Sequence, residues 1–368
     1  MTTKAPRWDL SNVFPGLESS EFKTAVNDLR VKIENLEAFF NQTTALMGIN
    51  TPLPKLAQAL GQLVEDFNAI YELSITLSAY LHSFISTDSH NTTAMRLQSE
   101  YEQVEVRLQK LDVRFSTWVG KQEACLPEMI QADPIVSAHA FILKETAEQS
   151  KYLMSEVEEV LAAELSLSGA SAWNKLQGVV TSQLTVDFEL DGRTQKLPMP
   201  ALINLHSHPD PGVRKRAYEA ELNAWATVRE PLAACMNGIK GTANTLNIKR
   251  GRTDALHASL DQARIDRTTL DAMLGAMHDS FPVFRRYFQA KARRLGSEKL
   301  PWWDLFAPTG KTGRSFSFNE ARDFICEYFN DFSPELAVFA KKAMDNIGSM
   351  LNSVKASAVA HFVWVSHW

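Results

Sequence analysis

Cysteine, basic charge and long apolar runs are all scarce in this chain, and each scarcity removes a class of protein. Only three cysteines occur, Cys125, Cys235 and Cys326, far apart and never as Cys-x-x-Cys. That usage excludes a disulfide scaffold and a thiolate metal knuckle, and it fits reduced thiols in a cytoplasmic protein. Lys plus Arg number 38 against 43 Asp plus Glu, a formal charge of -5. Nucleic-acid backbones select concentrated positive charge, so no nucleic-acid partner is expected. The densest basic residues, Arg285-Arg286, Lys291 and Arg293-Arg294, fall on one predicted helix and read as a solvated face. No run approaches the roughly 18 apolar residues that a spanning helix needs, so no membrane partner is expected. The opening Met1-Thr2-Thr3-Lys4-Ala5-Pro6-Arg7-Trp8-Asp9 has no signal-peptide core.

Catalytic motifs are equally sparse. The nine histidines, His82, His90, His139, His206, His208, His257, His278, His361 and His367, include no His-Glu-x-x-His pair. On a helix that motif places two imidazoles one turn apart on a metal, with a carboxylate beside the bound water. His206-Ser207-His208 is the densest pair. Two ligands fall short of a site, and a polar loop before a capped helix is the simpler reading. A hydrolase using His206 and His208 with distant carboxylates stays as a minor alternative. His361 and His367 are six apart, not one helical turn. Gly310-Lys311-Thr312 resembles the end of a phosphate loop, but Leu305 stands where its first glycine belongs. No Gly-x-Ser-x-Gly elbow occurs.

What remains is helical pattern. Ser20 is a candidate cap for a first helix carrying Phe22, Leu29, Ile33 and Leu36. A second helix runs from Thr51-Pro52-Leu53-Pro54 to about Ser86. A third carries Ala94, Leu97, Tyr101, Val104, Leu108, Leu111, Phe115 and Trp118 at alternating spacings of three and four. The pattern predicts a further helix over 135–166. Leu184, Val186, Phe188 and Leu190 then alternate with polar residues before Asp191-Gly192, a β-hairpin signal. Asp210-Pro211 and Asp266 open later helices, and Pro282 predicts a kink or break in the second of these. Trp302-Trp303 reads mainly as buried packing within a rigid aromatic connector, and further helices start near 317 and at Ser333-Pro334-Glu335. The expected fold is mainly α: an elongated antiparallel helical array with a small β-hairpin insertion.

Several local runs then converge. Trp8-Asp9-Leu10-Ser11 with Phe14-Pro15-Gly16, Pro209-Asp210 with Val213-Arg214 and Ala217-Tyr218, and Gly241-Thr242-Ala243 before Arg250-Gly251-Arg252 occur in order. Lys291-Ala292, Leu295-Gly296, Glu298-Lys299-Leu300, Trp303-Asp304-Leu305 and Ala307-Pro308 follow, then Phe318-Asn319-Glu320-Ala321 and Phe332-Ser333-Pro334-Glu335-Leu336. With these runs the chain resembles the oligoendopeptidase F branch of the M3 metallopeptidases over residues 8–346. The resemblance implies a helical peptidase whose channel admits short unfolded peptides, with one zinc ion and a cytoplasmic setting. It also implies an N-terminal helical domain over 1–200, with the hairpin near 180–197, and the beginning of the peptidase domain over 201–346.

After Ala343-Met344-Asp345-Asn346 the resemblance stops. In the 22 residues from Ile347 to Trp368, Lys355 is the only charged residue. The family's metal ligands and water-activating glutamate have no matching positions here, so no catalytic, cofactor-binding or metal residue is assigned. The expectation is a truncated or frameshifted family member with an atypical tail over 347–368, holding no zinc and inactive alone. It would retain short peptides as partners and would self-associate through exposed apolar surface. The alternative is a shortened, non-catalytic helical peptide-binding or scaffold protein.

Overall fold

The computed structural model describes residues 9–48, 50–310 and 316–345. These residues form helices and one two-stranded antiparallel sheet, in line with the mainly α expectation. Helix α1 (Ser20–Gln42) begins one residue earlier than anticipated, because the Ser19 hydroxyl accepts the Phe22 N–H at 3.2 Å. Helices α2 (Leu53–Thr87) and α3 (Thr92–Lys121) follow, and Asn91 caps the latter by accepting the Ala94 N–H. Their apolar stripes meet in one core that includes Leu29, Ile33, Leu60, Leu63, Leu77 and Leu111. Each such buried side chain contributes about 1.5–3 kcal/mol. The opening segment is anchored on this core. The Tyr80 hydroxyl donates to the Phe14 carbonyl at 3.1 Å, and the two rings meet edge to face at 5.0 Å. Trp8 lies outside the described residues.

The helix expected over 135–166 is in fact several pieces. After α4 (Leu126–Ala132) come α5 (Pro134–Ala138), α6 (Ala140–Gln149), a 3₁₀ turn at Ser150–Tyr152 and α7 (Glu156–Ser166). Leu153 is extended, and Ser155 with Glu158 forms a reciprocal capping box that starts a new helix. Helix α8 (Ala170–Gln183) leads into strands β1 (Thr185–Leu190) and β2 (Arg193–Pro198), paired with Phe188 opposite Gln195. Asp191 and Gly192 have φ of 52° and 72°, the left-handed pair that a tight hairpin turn requires.

Helices α9 (Met199–Asn204) and α10 (Pro211–Thr227) cover the hairpin and build a second core on Phe188, Met199, Leu202, Val213 and Ala217. Helix α11 (Arg229–Lys249) packs on α8, and Gly238 lets the Trp173 ring approach. Then come α12 (His257–Ala263) and α13 (Arg267–Arg294), the latter capped by Asp266 on the Thr269 N–H. Helix α13 runs through Pro282 without the break considered from sequence. It stops where Gly296 takes φ 78°. The aromatic connector makes a 3₁₀ turn at Trp302–Asp304, and α14 (Phe318–Phe332) and α15 (Pro334–Asp345) pack against each other. No helix of the described residues is long and apolar enough to cross a membrane.

Candidate functional site

The histidine pair singled out by sequence does not converge on a common point. His206 lies in a 3₁₀ turn after α9. Its Nε2 is 3.1 Å from a Glu221 oxygen, but it is misaligned for a hydrogen bond and has no partner of that kind. The other Glu221 oxygen accepts the Trp225 indole N–H at 3.1 Å. The His208 Nδ1 accepts the Asp210 backbone N–H at 3.1 Å, so the two imidazoles serve different partners. Among the described residues no three His, Cys, Asp or Glu side chains gather as metal ligands. The residues described therefore do not fit a zinc ion. His361 and His367 lie outside them, as do Lys311 and Thr312.

Beside His206, a buried ion pair fixes the aromatic connector. The Arg214 guanidinium, 2% exposed, donates to Asp304 at 2.7 and 2.8 Å and to the His208 and Pro209 carbonyls at 2.7 and 2.9 Å. The Lys291 ammonium is also buried and donates to the Leu305 carbonyl at 2.7 Å. Burial, helped by the Arg214 charge and opposed by Asp304, lowers the Lys291 pKa. These groups set Trp303 between Tyr218 (ring centroids 5.8 Å apart) and the Lys215 ammonium (5.6 Å). Trp302 is 68% exposed, so the expectation of buried packing fails for it. Asp304, two residues on, takes the inward position.

A third constellation joins distant parts of the chain. A cleft of about 380 Å³ opens between α6, α12 and the Ser116 region of α3, lined by Glu145, Gln149, Arg252, Asp261, Gln262 and Arg264 among others. Arg252 donates to Gln149 at 2.8 Å, pairs with Asp261 and lies 4.7 Å over the Tyr152 ring. Arg264 forks onto Glu145 at 2.8 and 2.9 Å from a left-handed backbone position, φ 55°. Both guanidiniums are oriented by carboxylates, and amide groups from Gln149 and Gln262 share the rim. Sequence reading missed this cleft. Arg250-Gly251-Arg252 stood out only as one of the resemblance runs, and Gln149, which Arg252 meets, lies 103 residues away in the chain.

Next to it, a cavity of about 280 Å³ is lined by Asp112, Glu159, Leu246 and Arg250. Arg250 forks onto the buried Glu159 at 2.6 and 2.9 Å, and the Met154 N–H donates to the same carboxylate. Burial alone would raise the Glu159 pKa, but the Arg250 and Met154 hydrogen bonds outweigh it and the net shift is downward. Asp112 differs. Burial pushes its carboxyl up to about 6, and the hydrogen bond from the Tyr71 hydroxyl offsets only part of that rise.

The sequence carrying most of these residues matches two family models: residues 122–185 that of oligopeptidase F, and residues 204–330 that of peptidase family M3. The chain belongs to peptidase family M3, in its oligopeptidase F branch. It is 21% identical to oligopeptidase PepF of Bacillus subtilis (strain 168) over 61% of this chain and 34% of that protein. Group B oligopeptidase PepB of Streptococcus agalactiae serotype III (strain NEM316) is also 21% identical, over 86% of this chain and 51% of the relative. The chain thus spans between a third and about half of these curated relatives. Among solved structures it resembles oligoendopeptidase-F from Enterococcus faecium, with a TM-score of 0.67 and 17% identity over 89% of this chain and 66% of that one. A structure of PZ peptidase A with an inhibitor gives 0.65 and 16%, over 88% and 55%. At such identities the structural likeness concerns the fold. The 380 Å³ cleft takes residues from both matched regions, Gln149 from the first and Arg252 and Asp261 from the second.

Proposed function

We propose that these residues form the peptide-admitting part of a cytoplasmic, zinc-dependent oligopeptidase acting on short unfolded peptides, and that this chain by itself binds such peptides without cleaving them. The reading includes a helical domain over 1–200 and the beginning of a peptidase domain over 201–346. Metal supplies the water activation and carbonyl polarisation in such chemistry. Because the described residues do not fit a zinc ion, no hydrolytic step is assigned to them.

The observation that carries this reading is the polar cleft at Arg252. An extended peptide presents alternating amide donors and acceptors with a charge at each end. Paired arginines and carboxylates beside glutamine amides offer matching groups with little net charge, which suits backbone recognition more than selection of one side chain. Guanidinium groups already oriented by Asp261 and Glu145 lose little further freedom on binding.

The test is an anisotropy titration of the full chain with a fluorescently labelled, unstructured heptapeptide, alongside an internally quenched peptide with and without added zinc. Saturable binding is expected, with no turnover in either condition. Arg252→Ala is expected to weaken binding by about ten- to a hundredfold, the loss of a charge-assisted hydrogen bond of roughly 1.5–3 kcal/mol. Gln262→Ala, a milder change on the rim, is expected to weaken it less while leaving the circular dichroism spectrum unchanged. Absence of saturable binding would remove the peptide reading, and zinc-stimulated turnover would remove the claim of inactivity.

A further inference from the structure

The Asp112 carboxylate has no cation to answer it. Among the described residues its one hydrogen-bond donor is the Tyr71 hydroxyl, which reaches Oδ1 from α2, and no Lys, Arg or His side chain pairs with it. Carboxylates withdrawn from water are ordinarily paired. The other charged groups at this place answer each other. Both Glu159 oxygens, on α7, accept from Arg250 at the end of α11, and the Met154 N–H adds a third donor. One negative charge is left over, that of Asp112.

That charge lines the cavity of about 280 Å³ walled by α3, α7 and α11. The volume lies near the lower end of small-molecule sites, which run from about 300 Å³ upward. Beside Asp112 the wall is made by Val113, Ala162, Ala163 and Leu246, with the Gln109 amide as a further polar group. The Ser166 hydroxyl, also on the wall, is spent on the Ala163 carbonyl at 2.7 Å. Apolar walls with a few polar groups to fix orientation are the composition of a site for a small ligand. The cavity shares no lining residue with the Arg252 cleft, so it stands apart from the peptide reading.

We propose that this cavity binds a small primary alkylammonium, with its charge on Asp112 and a branched aliphatic stem against Val113, Ala162, Ala163 and Leu246. Chemistry decides against other cations. A metal ion takes several donors at once, and among the described residues no three His, Cys, Asp or Glu side chains gather to supply them. A guanidinium binds best as a fork across both oxygens of a carboxylate, and Tyr71 already occupies Oδ1. An ammonium is a compact point charge that one open oxygen satisfies, with the Gln109 amide oxygen on the same wall as a further acceptor. Free alkylamines and aliphatic amino acids both carry this group, and they differ by a carboxylate.

Isothermal titration of the full chain at pH 8, in a buffer free of amines, compares isoamylamine, L-leucine and isoamyl alcohol, the last keeping the stem without the charge. Saturable binding of isoamylamine is expected, with the millimolar affinity of so small a ligand, and none of the alcohol. L-Leucine separates the two sources: binding equal to the amine's extends the class to free amino acids, its exclusion confines the class to amines, and both outcomes keep the ammonium. Asp112→Asn retains an acceptor for Tyr71 and should weaken binding at least tenfold. Ala162→Leu fills the cavity from its apolar side and should abolish binding with an unchanged circular dichroism spectrum. The pH dependence isolates the charge. With a carboxyl at about 6, about nine-tenths of the free protein holds Asp112 protonated at pH 5, so binding should weaken about tenfold from pH 8. Across that range Glu159, whose pKa is lowered, stays ionised, and Tyr71, whose pKa is raised, stays neutral. Asp112→Asn should show no such change. Failure of isoamylamine to saturate, equal binding of the alcohol, or an affinity indifferent to Asp112→Asn or to pH would each overturn the proposal.

Discussion

Replacing Asp112 by asparagine removes a charge from a place that penalises charge while keeping an acceptor for the Tyr71 hydroxyl. Burial raises the Asp112 carboxyl from 3.8 to about 6. As pH climbs, the unfolded chain therefore releases this proton first, and between 3.8 and about 6 the folded state binds more protons than the unfolded. Stability must fall through that window and stay lower above it. Two pKa units correspond to about 3 kcal/mol. Access of water through the neighbouring cavity reduces this, so about 1.5–3 kcal/mol is expected at neutral pH. The assay is thermal unfolding by circular dichroism from pH 4 to pH 8. Asp112→Asn should melt with the wild type near pH 4 and several degrees above it at neutral pH, at about 2–4 °C per kcal/mol for a cooperative unit of 150–250 residues. A variant less stable than the wild type at neutral pH would refute the reasoning. It would mean that the carboxylate is held by favourable charge interactions, not tolerated against burial.

Glu159 should behave in the opposite sense. Its folded pKa is lowered, so its contribution is present above the unfolded value near 4.5 and is lost as pH falls through the folded value. Glu159→Gln should cost about 1–3 kcal/mol at neutral pH and progressively less in acid, read from urea midpoints. Asp304→Leu strands Arg214 and Lys291 as two buried like charges and should cost about 3–5 kcal/mol, with a change in tryptophan emission from the loosened connector. The double change Arg214→Met with Asp304→Leu should recover much of that loss; equal stability of single and double variants would deny the pair its role. Gly238→Ala places a Cβ 2.4 Å from Trp173 and should cost about 1–3 kcal/mol, a penalty that Trp173→Leu relieves.

What could be read from sequence was local in origin. The α3 stripe, the Asp191-Gly192 turn and the caps at Asp210 and Asp266 depend on residues within a few positions of one another, and each stands where the pattern put it. The 135–166 run misled because its apolar spacing continues across Leu153 and Ser155, although Ser155 and Glu158 carry the signature of a new helix start. The Arg252 cleft was illegible for another reason. Arg252 meets Gln149 from 103 residues away, and Arg264 meets Glu145 from 119, so nothing in the spacing of either neighbourhood announces the contact.

Periodicity reports that a helix face will be covered; it carries no information about what covers it. In α1, α2 and α3 the partner faces are the neighbouring stripes, and large side chains such as Ile33, Leu63 and Leu81 are fully buried. Beyond Ala224 the buried apolar residues among those described are only Cys235, Ala292, Ala307, Ala337 and Ala340, all small, while Met277, Phe284, Tyr328 and Phe332 stand in solvent. The helical patterns of the two regions are alike, so the difference lies in partners and not in propensity.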